Sequence, residues 1–189
     1  MSVFTLHTVD TAPAAAKGML EQSIKDYGML PGLYQVMASS PELLASYYKL
    51  HEMFEQTALS VDERNVVWMT INVENRCHYC VPAHTAIAKS QGVDDAIVNA
   101  LREERPLDDP RLEVLRQFTL ILVRKNGNPS PAEVQTFLDA GFEPRAILDV
   151  LVGLAQKVLS NYTNHLADTP LDEPFKPFAW TPSKARAAE

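Results

Sequence analysis

Both cysteines of this chain stand in one stretch, Glu74-Asn75-Arg76-Cys77-His78-Tyr79-Cys80-Val81-Pro82-Ala83-His84, at CxxC spacing and with a histidine four residues after the second. At 3.6 residues per turn, positions 77, 80 and 84 fall on one helical face, where two thiols and an imidazole can exchange protons and electrons. A thiol at its ordinary pKa is a slow nucleophile at neutral pH. Three features of the stretch favour activation. Cys77 is placed in or near a first helical turn, whose unpaired N–H groups and positive dipole end favour thiolate. Cys80 lies four residues before His84, within reach of an imidazole base or ion-pair partner. Cys77 and Cys80, three apart on a helix, have Cα atoms in disulfide range, so one thiolate can attack, become a sulfenic acid and be resolved by the other.

Two other readings of the same residues stand beside the redox dithiol. Glu74, Cys77, Cys80 and His84 together supply carboxylate, thiolate and imidazole, the donor set of a zinc site. Zinc sites usually draw on two separated ligand pairs, and this chain has no second pair, only His7, His51, His78 and His165 elsewhere. The two cysteines also fit the role of small buried apolar residues.

Composition narrows the setting. A chain of 189 residues with 46% hydrophobic and 22% charged side chains is expected to form one domain, 1–189, with a real core. The net charge of −7 and the lack of any basic run argue against nucleic acid as a partner. No apolar stretch approaches the length of a membrane span, and the first residues show no basic region followed by an apolar core. The expectation is a cytoplasmic protein, in which a CxxC reads as catalytic or metal-binding rather than as a structural staple.

The elements that must position the motif read as helices throughout. Pro13 opens a segment with Ala16, Met19, Leu20, Ile24 and Tyr27 at helical spacing, and Gly28 closes it. A short piece follows over 31–38. Ser40-Pro41 caps a helix bearing Leu43, Leu44, Tyr47, Leu50, Met53 and Phe54. Ser60-Val61-Asp62-Glu63 is a capping box and opens a segment to about Val73. Its β-branched run also suits a buried strand, but the box and the length favour helix. The motif helix is predicted from near Cys77 to Gln91, with Gly92 as its stop. Pro82 agrees with a helix start close to Cys77, since the N–H it lacks is unpaired in a first turn. Asp94, Asp109-Pro110 and a second capping box at Ser130 open three more helices. Pro144 begins the last long one, with Ile147, Leu148, Leu151, Leu154, Val158 and Leu159 as its apolar residues. From Thr169 onward the prolines preclude a long helix and predict an extended tail over 169–189, laid on this domain or on a neighbouring subunit. The fold class expected is all-α, a bundle of roughly eight helices with no sheet.

With these residues on the page, the chain resembles the AhpD-like superfamily, the carboxymuconolactone decarboxylase family in its broad sense, on its alkyl hydroperoxidase, peroxidase-related branch. The resemblance runs from Leu59-Ser60-Val61-Asp62-Glu63-Arg64 through the CxxCxxxH block to Ala140-Gly141-Phe142, Asn161 and Asn164, over a core of about 40–172. It implies an AhpD-like helical bundle that assembles as a dimer, trimer or hexamer. It implies peroxidase or disulfide-reductase activity without a cofactor, on a hydroperoxide and with an external dithiol as reductant. Cys80 would attack the peroxide, Cys77 would resolve it, and His84 would relay protons. The family's relay carboxylate, twelve residues before the first cysteine, falls on Asn65 here. Asn65 can orient His84 but cannot accept its proton. Glu63 lies about 200° round the helix from Asn65 and is the capping partner of Ser60. Glu74 is the nearest acidic residue to the thiols and is the expected substitute if the inter-helix turn folds it inward. The family's second relay histidine, just before the second cysteine, is replaced by Tyr79. Both changes weaken the case for efficient peroxide turnover and leave dithiol–disulfide exchange intact. The decarboxylase branch lacks a CxxC, so lactone decarboxylation is not expected.

Overall fold

The computed structural model describes residues 3–182. Within them lie nine α-helices and one 3₁₀ segment, and no strand. The local signals did most of the placing. Helix α1 (Ala14–Tyr27) stops at Gly28, which takes the left-handed conformation at φ 69° and returns its N–H to Ile24. After the short α2 (Gly32–Met37), Ser40 caps α3 (Pro41–Glu55) by accepting the Leu43 amide. The capping box at Ser60 is closed in both directions and starts α4 (Val61–Glu74). This resolves the strand-or-helix ambiguity. Val66, Val67, Trp68, Met69 and Ile71 are all buried, because α4 runs through the middle of the molecule and has protein on every side.

The motif helix α5 (Cys80–Ser90) begins later than predicted. Arg76 takes φ 55°, the chain reverses there, and the Cys77 amide bonds back to the Asn72 carbonyl at 3.0 Å. Cys77 therefore lies in the turn that enters α5. Its sulfur accepts the Cys80 amide at 3.2 Å, the position a serine oxygen takes in an N-cap. Helices α6 (Asp95–Arg102), α7 (Pro110–Arg124) and α8 (Pro131–Asp139) follow, each with its aspartate or serine cap in place. The last, α9 (Pro144–Ala167), runs the length of the molecule against α2, α3, α4 and α5.

Helix α9 departs from its sequence pattern. Leu148, Leu151, Tyr162 and Leu166 are exposed, Leu166 at 71%, whereas Gln156, Lys157, Ser160, Asn161 and Asn164 are buried. The helix turns its polar stripe inward. Gly153 permits this close approach, since a Cβ there would stand 2.7 Å from the Phe54 ring.

Two apolar clusters flank that polar stripe. One joins α4, α7, α8 and α9 and contains the stacked rings Phe118, Phe137 and Phe142. The other joins α1, α2 and α3 to Cys77, Tyr79, Cys80 and Ala83. The tail is not extended throughout: Glu173–Phe178 forms a 3₁₀ turn that lies along α5. It packs on its own domain, with Trp180 donating to the Arg102 carbonyl at 2.9 Å and Arg102 donating to the Phe178 and Ala179 carbonyls. The end of the predicted tail, 183–189, lies outside the described residues.

Candidate active site

Both cysteines are free thiols and both are buried, Cys77 at 0% and Cys80 at 3% exposure. Their environments pull them apart. Burial pushes the Cys80 thiol up. The hydrogen bond from Cys77, the charge of Lys157 and bonds from Asn164 and Asn161 outweigh that and bring it down to about 7. Burial pushes the Cys77 thiol up as well, and the bond and charge of Cys80 push it further. The pair thus has one ionisable member and one that stays protonated while its neighbour is charged. Asn164 donates its amide to Cys80 Sγ at 3.2 Å.

Lys157 is the group that the motif alone did not reveal. Its side chain has no exposure to solvent, and its Nζ lies 2.6 Å from His84 Nε2. It stands over the Trp68 and Tyr47 rings at 5.7 and 5.9 Å. Burial lowers its pKa, the charges of Cys80 and Cys77 raise it, and the balance falls to about 8. His84 is driven well below its ordinary value, first by burial, then by Lys157 and His51. A neutral His84 accepting from the ammonium at Nε2 carries its proton on Nδ1, a buried atom with no partner among the described residues. His51, stacked on Trp68, is lowered to about 4 by burial and by Lys157, and accepts from Gln156 at 3.0 Å. Gln156 in turn accepts from the Trp68 indole at 2.7 Å. Helix α9 thus contributes Gln156, Lys157, Ser160, Asn161 and Asn164, spaced so that each reaches the same side. That spacing is legible in the sequence as a polar i, i+3, i+4, i+7 stripe inside an apolar helix.

Cys80, His84 and Lys157 line a cavity of about 520 Å³. Its remaining walls are mainly apolar or aromatic, including Leu33, Tyr34, Tyr47, Ile87 and Phe175, with His51 and Glu55 among the polar residues. The 3₁₀ turn supplies Phe175 and Pro174 to one wall. It is tied down by Asp172, which accepts from the Tyr79 hydroxyl at 2.5 Å and from the Gly32 amide at 3.1 Å. His78 reaches the same segment, with Nε2 3.2 Å from the Thr169 carbonyl. The two residues between the cysteines therefore hold the strap that covers them.

The two relay candidates are not brought to His84. Glu74, at the end of α4, faces α7 and accepts from Arg124 Nε and Nη2 at 2.7 and 2.9 Å. The left-handed turn at Arg76 carries the chain away before Cys77, so the acid and the thiols leave the helix end on different sides. Asn65 donates to the Val61 carbonyl and to Gln91 Oε1 at 2.9 and 2.8 Å. Glu63 bonds to its own cap and to Arg111. Among the described residues no three of His, Cys, Asp and Glu gather in a group able to hold a metal ion, so the zinc reading of Glu74, Cys77, Cys80 and His84 does not assemble. No helix of the described residues is long and apolar enough to cross a membrane.

Residues 41–113 match the Carboxymuconolactone decarboxylase family. No curated protein matches the chain. Among solved structures, the alkylhydroperoxidase AhpD core of an uncharacterized peroxidase-related protein from Ralstonia eutropha JMP134 superposes with a TM-score of 0.82 at 18% identity, covering 92% of this chain and 94% of that one. An uncharacterized peroxidase-related protein from Silicibacter sp. TM1040 gives 0.76 at 20% identity, covering 92% and 94%. The debrominase Bmp8, as a cysteine-to-alanine variant with 2,3,4-tribromopyrrole, gives 0.75 at 14% identity, covering 93% and 94%. At these identities the likeness is one of fold.

Proposed function

We propose that this chain, whose residues 41–113 match the Carboxymuconolactone decarboxylase family and whose fold is that of AhpD-like structures, is a thiol-dependent oxidoreductase that reduces an organic hydroperoxide through Cys80 and Cys77. The observation that carries the reading is geometric: two free thiols three residues apart, with Cys80 on the cavity wall and its Sγ accepting from Asn164 at 3.2 Å, surroundings that draw Cys80 down to about 7 while burial pushes Cys77 up. The Cys80 thiolate attacks the terminal oxygen of ROOH, the O–O bond breaks, and the alkoxide leaves with a proton as ROH. Cys80 is then a neutral sulfenic acid, so the charge that kept Cys77 protonated is gone. Cys77 sulfur attacks Cys80 sulfur, its proton leaves with the hydroxyl as water, and the disulfide forms. An external dithiol restores both thiols by exchange. His84 stays neutral and bridges to Lys157. The aromatic walls suit a ring-sized or chain-like organic peroxide more than hydrogen peroxide.

Thiol titration before and after cumene hydroperoxide tests this. Two thiols are expected before and none after, and both Cys80→Ser and Cys77→Ser are expected to abolish turnover. Undiminished peroxide consumption by the two variants would overturn the reading.

The aromatic cavity and the fold shared with Bmp8 favour a second substrate for the same chemistry, a halogenated heteroaromatic. Cys80 would take the halogen, carbon would take a proton, and Cys77 would expel halide to give the same disulfide. Bromide release from 2,3,4-tribromopyrrole by the reduced protein decides between the two.

We also place the protein in a reducing cytoplasm, where a dithiol donor is available. We assign it to a homo-oligomer, supported by the exposed apolar residues Leu148, Leu151, Tyr162 and Leu166 on α9. A monomer mass by light scattering at micromolar concentration would reject that assembly.

A further inference from the structure

The dithiol reading leaves one group unused. An amine with no solvent exposure is costly unless a charge answers it. Among the described residues no carboxylate pairs with Lys157, and the charge that acts most to keep it protonated is that of Cys80. The groups that face it are few. Helix α3 offers Tyr47, His51 and, at the cavity wall, Glu55. Helix α5 offers Cys80 and His84, and the turn before it Cys77. Helix α4 offers the Trp68 ring, which does not titrate. Tyr47 is raised by burial and stays neutral, and His51 and His84 are both lowered and stay neutral. Lys157 is the sole Lys or Arg among the residues lining the cavity.

Building on the dithiol reading, we propose that Lys157 replaces the carboxylate relay with a cation: its ammonium holds Cys80 as thiolate and hands a proton to the oxygen that leaves. The inverted charge is consistent with the rest of the site. A carboxylate relay needs a histidine that takes up a proton, whereas here His84 accepts from Lys157 at 2.6 Å and has no partner at Nδ1. The proton balance closes. The thiolate and ROOH give sulfenic acid and alkoxide; the alkoxide and Lys157 ammonium give ROH and the neutral amine. A solvent proton entering through the open cavity then restores the ammonium, whose lowered affinity makes it a better acid than a surface lysine.

The test uses the reduced full-length protein with Cys77→Ser, so that a single thiol reports. The rate of Cys80 alkylation by iodoacetamide is followed from pH 5 to 10, without peroxide, for the parent, Lys157→Met and Lys157→Ala. Both variants are expected to alkylate roughly tenfold or more slowly at pH 6.5, with the midpoint moved up and the high-pH plateau retained. Ethylammonium added to Lys157→Ala is expected to recover part of the rate. Lys157→Met is expected to melt at or above the parent temperature, because an apolar side chain replaces a buried amine. In the two-cysteine protein, turnover of cumene hydroperoxide is expected to rise through about pH 7 with Cys80 and fall through about pH 8 as Lys157 loses its proton. An unchanged alkylation midpoint in Lys157→Met, with or without a loss of stability, overturns the proposal and makes Lys157 structural. Alkylation reads Lys157 even if peroxide proves not to be the substrate, and loss of the dithiol reading is seen separately in the Cys80→Ser turnover.

Discussion

Asn164→Leu offers a sharp test of how the thiolate is held. The Asn164 amide donates to Cys80 Sγ at 3.2 Å from a fully buried position. A hydrogen bond to a charged acceptor contributes about 1.5–3 kcal/mol, and each pKa unit is worth about 1.4 kcal/mol. Removing the donor therefore raises the Cys80 thiol from about 7 to roughly 8–9. At pH 7 the ionised fraction falls from about one half to roughly 10% or 1%, and alkylation slows about 5- to 50-fold, while the plateau above pH 10 is unchanged. The effect on stability is expected to be small, for a reason visible in the structure. Asn164 Oδ1 is buried with no partner among the described residues, so leucine removes an unsatisfied acceptor together with the bond. The backbone bonds that close α9, from the Asp168 and Thr169 amides to the His165 and Asn164 carbonyls, do not use the side chain. A melting temperature within about 4 °C of the parent follows. The assay is the pH profile of iodoacetamide alkylation, read as the rise of the midpoint by about one to two pH units over Cys77→Ser alone when Asn164→Leu is added to it, with a thermal melt beside it. An unmoved midpoint at preserved stability refutes the claim that Asn164 stabilises the thiolate.

Three further outcomes follow from the geometry. Glu74→Gln is expected to leave turnover within about twofold and cost under about 1 kcal/mol, since Glu74 pairs with the half-exposed Arg124 away from the thiols; a hundredfold loss of turnover would restore Glu74 to the relay. Gly153→Ala places a Cβ 2.7 and 2.8 Å from the Phe54 ring and 3.1 Å from Val67, in a core with no room to yield, and is expected to cost about 1–3 kcal/mol in urea unfolding; a neutral result would mean that α9 can slide. Asp172→Ala removes the acceptor shared by Tyr79 and Gly32 and frees the strap that carries Phe175, so limited proteolysis near Glu173–Phe178 should quicken and Cys80 alkylation rise a few-fold with its midpoint unmoved; unaltered rates in both assays would show that the strap does not govern access.

Much of the frame is written in short-range signals. The two capping boxes, the Ser40 and Asp109 caps and the glycine stops at 28, 92, 127 and 141 act over four residues or fewer, and each stands where its residues placed it. Helix α5 starts three residues later than its sequence predicts, because a left-handed Arg76 has no sequence signature of the kind glycine gives. Hydrophobic periodicity does not find the buried face of α9, because it assumes an apolar interior and this interior is polar beside the thiols.

The sequence by itself determined that two thiols stand together at the entry to a helix, with His84 one turn on, because those relations are local. Tertiary structure alone decided what charges them. Lys157 lies 73 residues from His84 and Asn164 lies 84 from Cys80, and no local rule joins such distances. The packing of α9 against α3, α4 and α5 brings them together, turns Glu74 outward to Arg124, and sets a cation where the family resemblance led one to look for an acid.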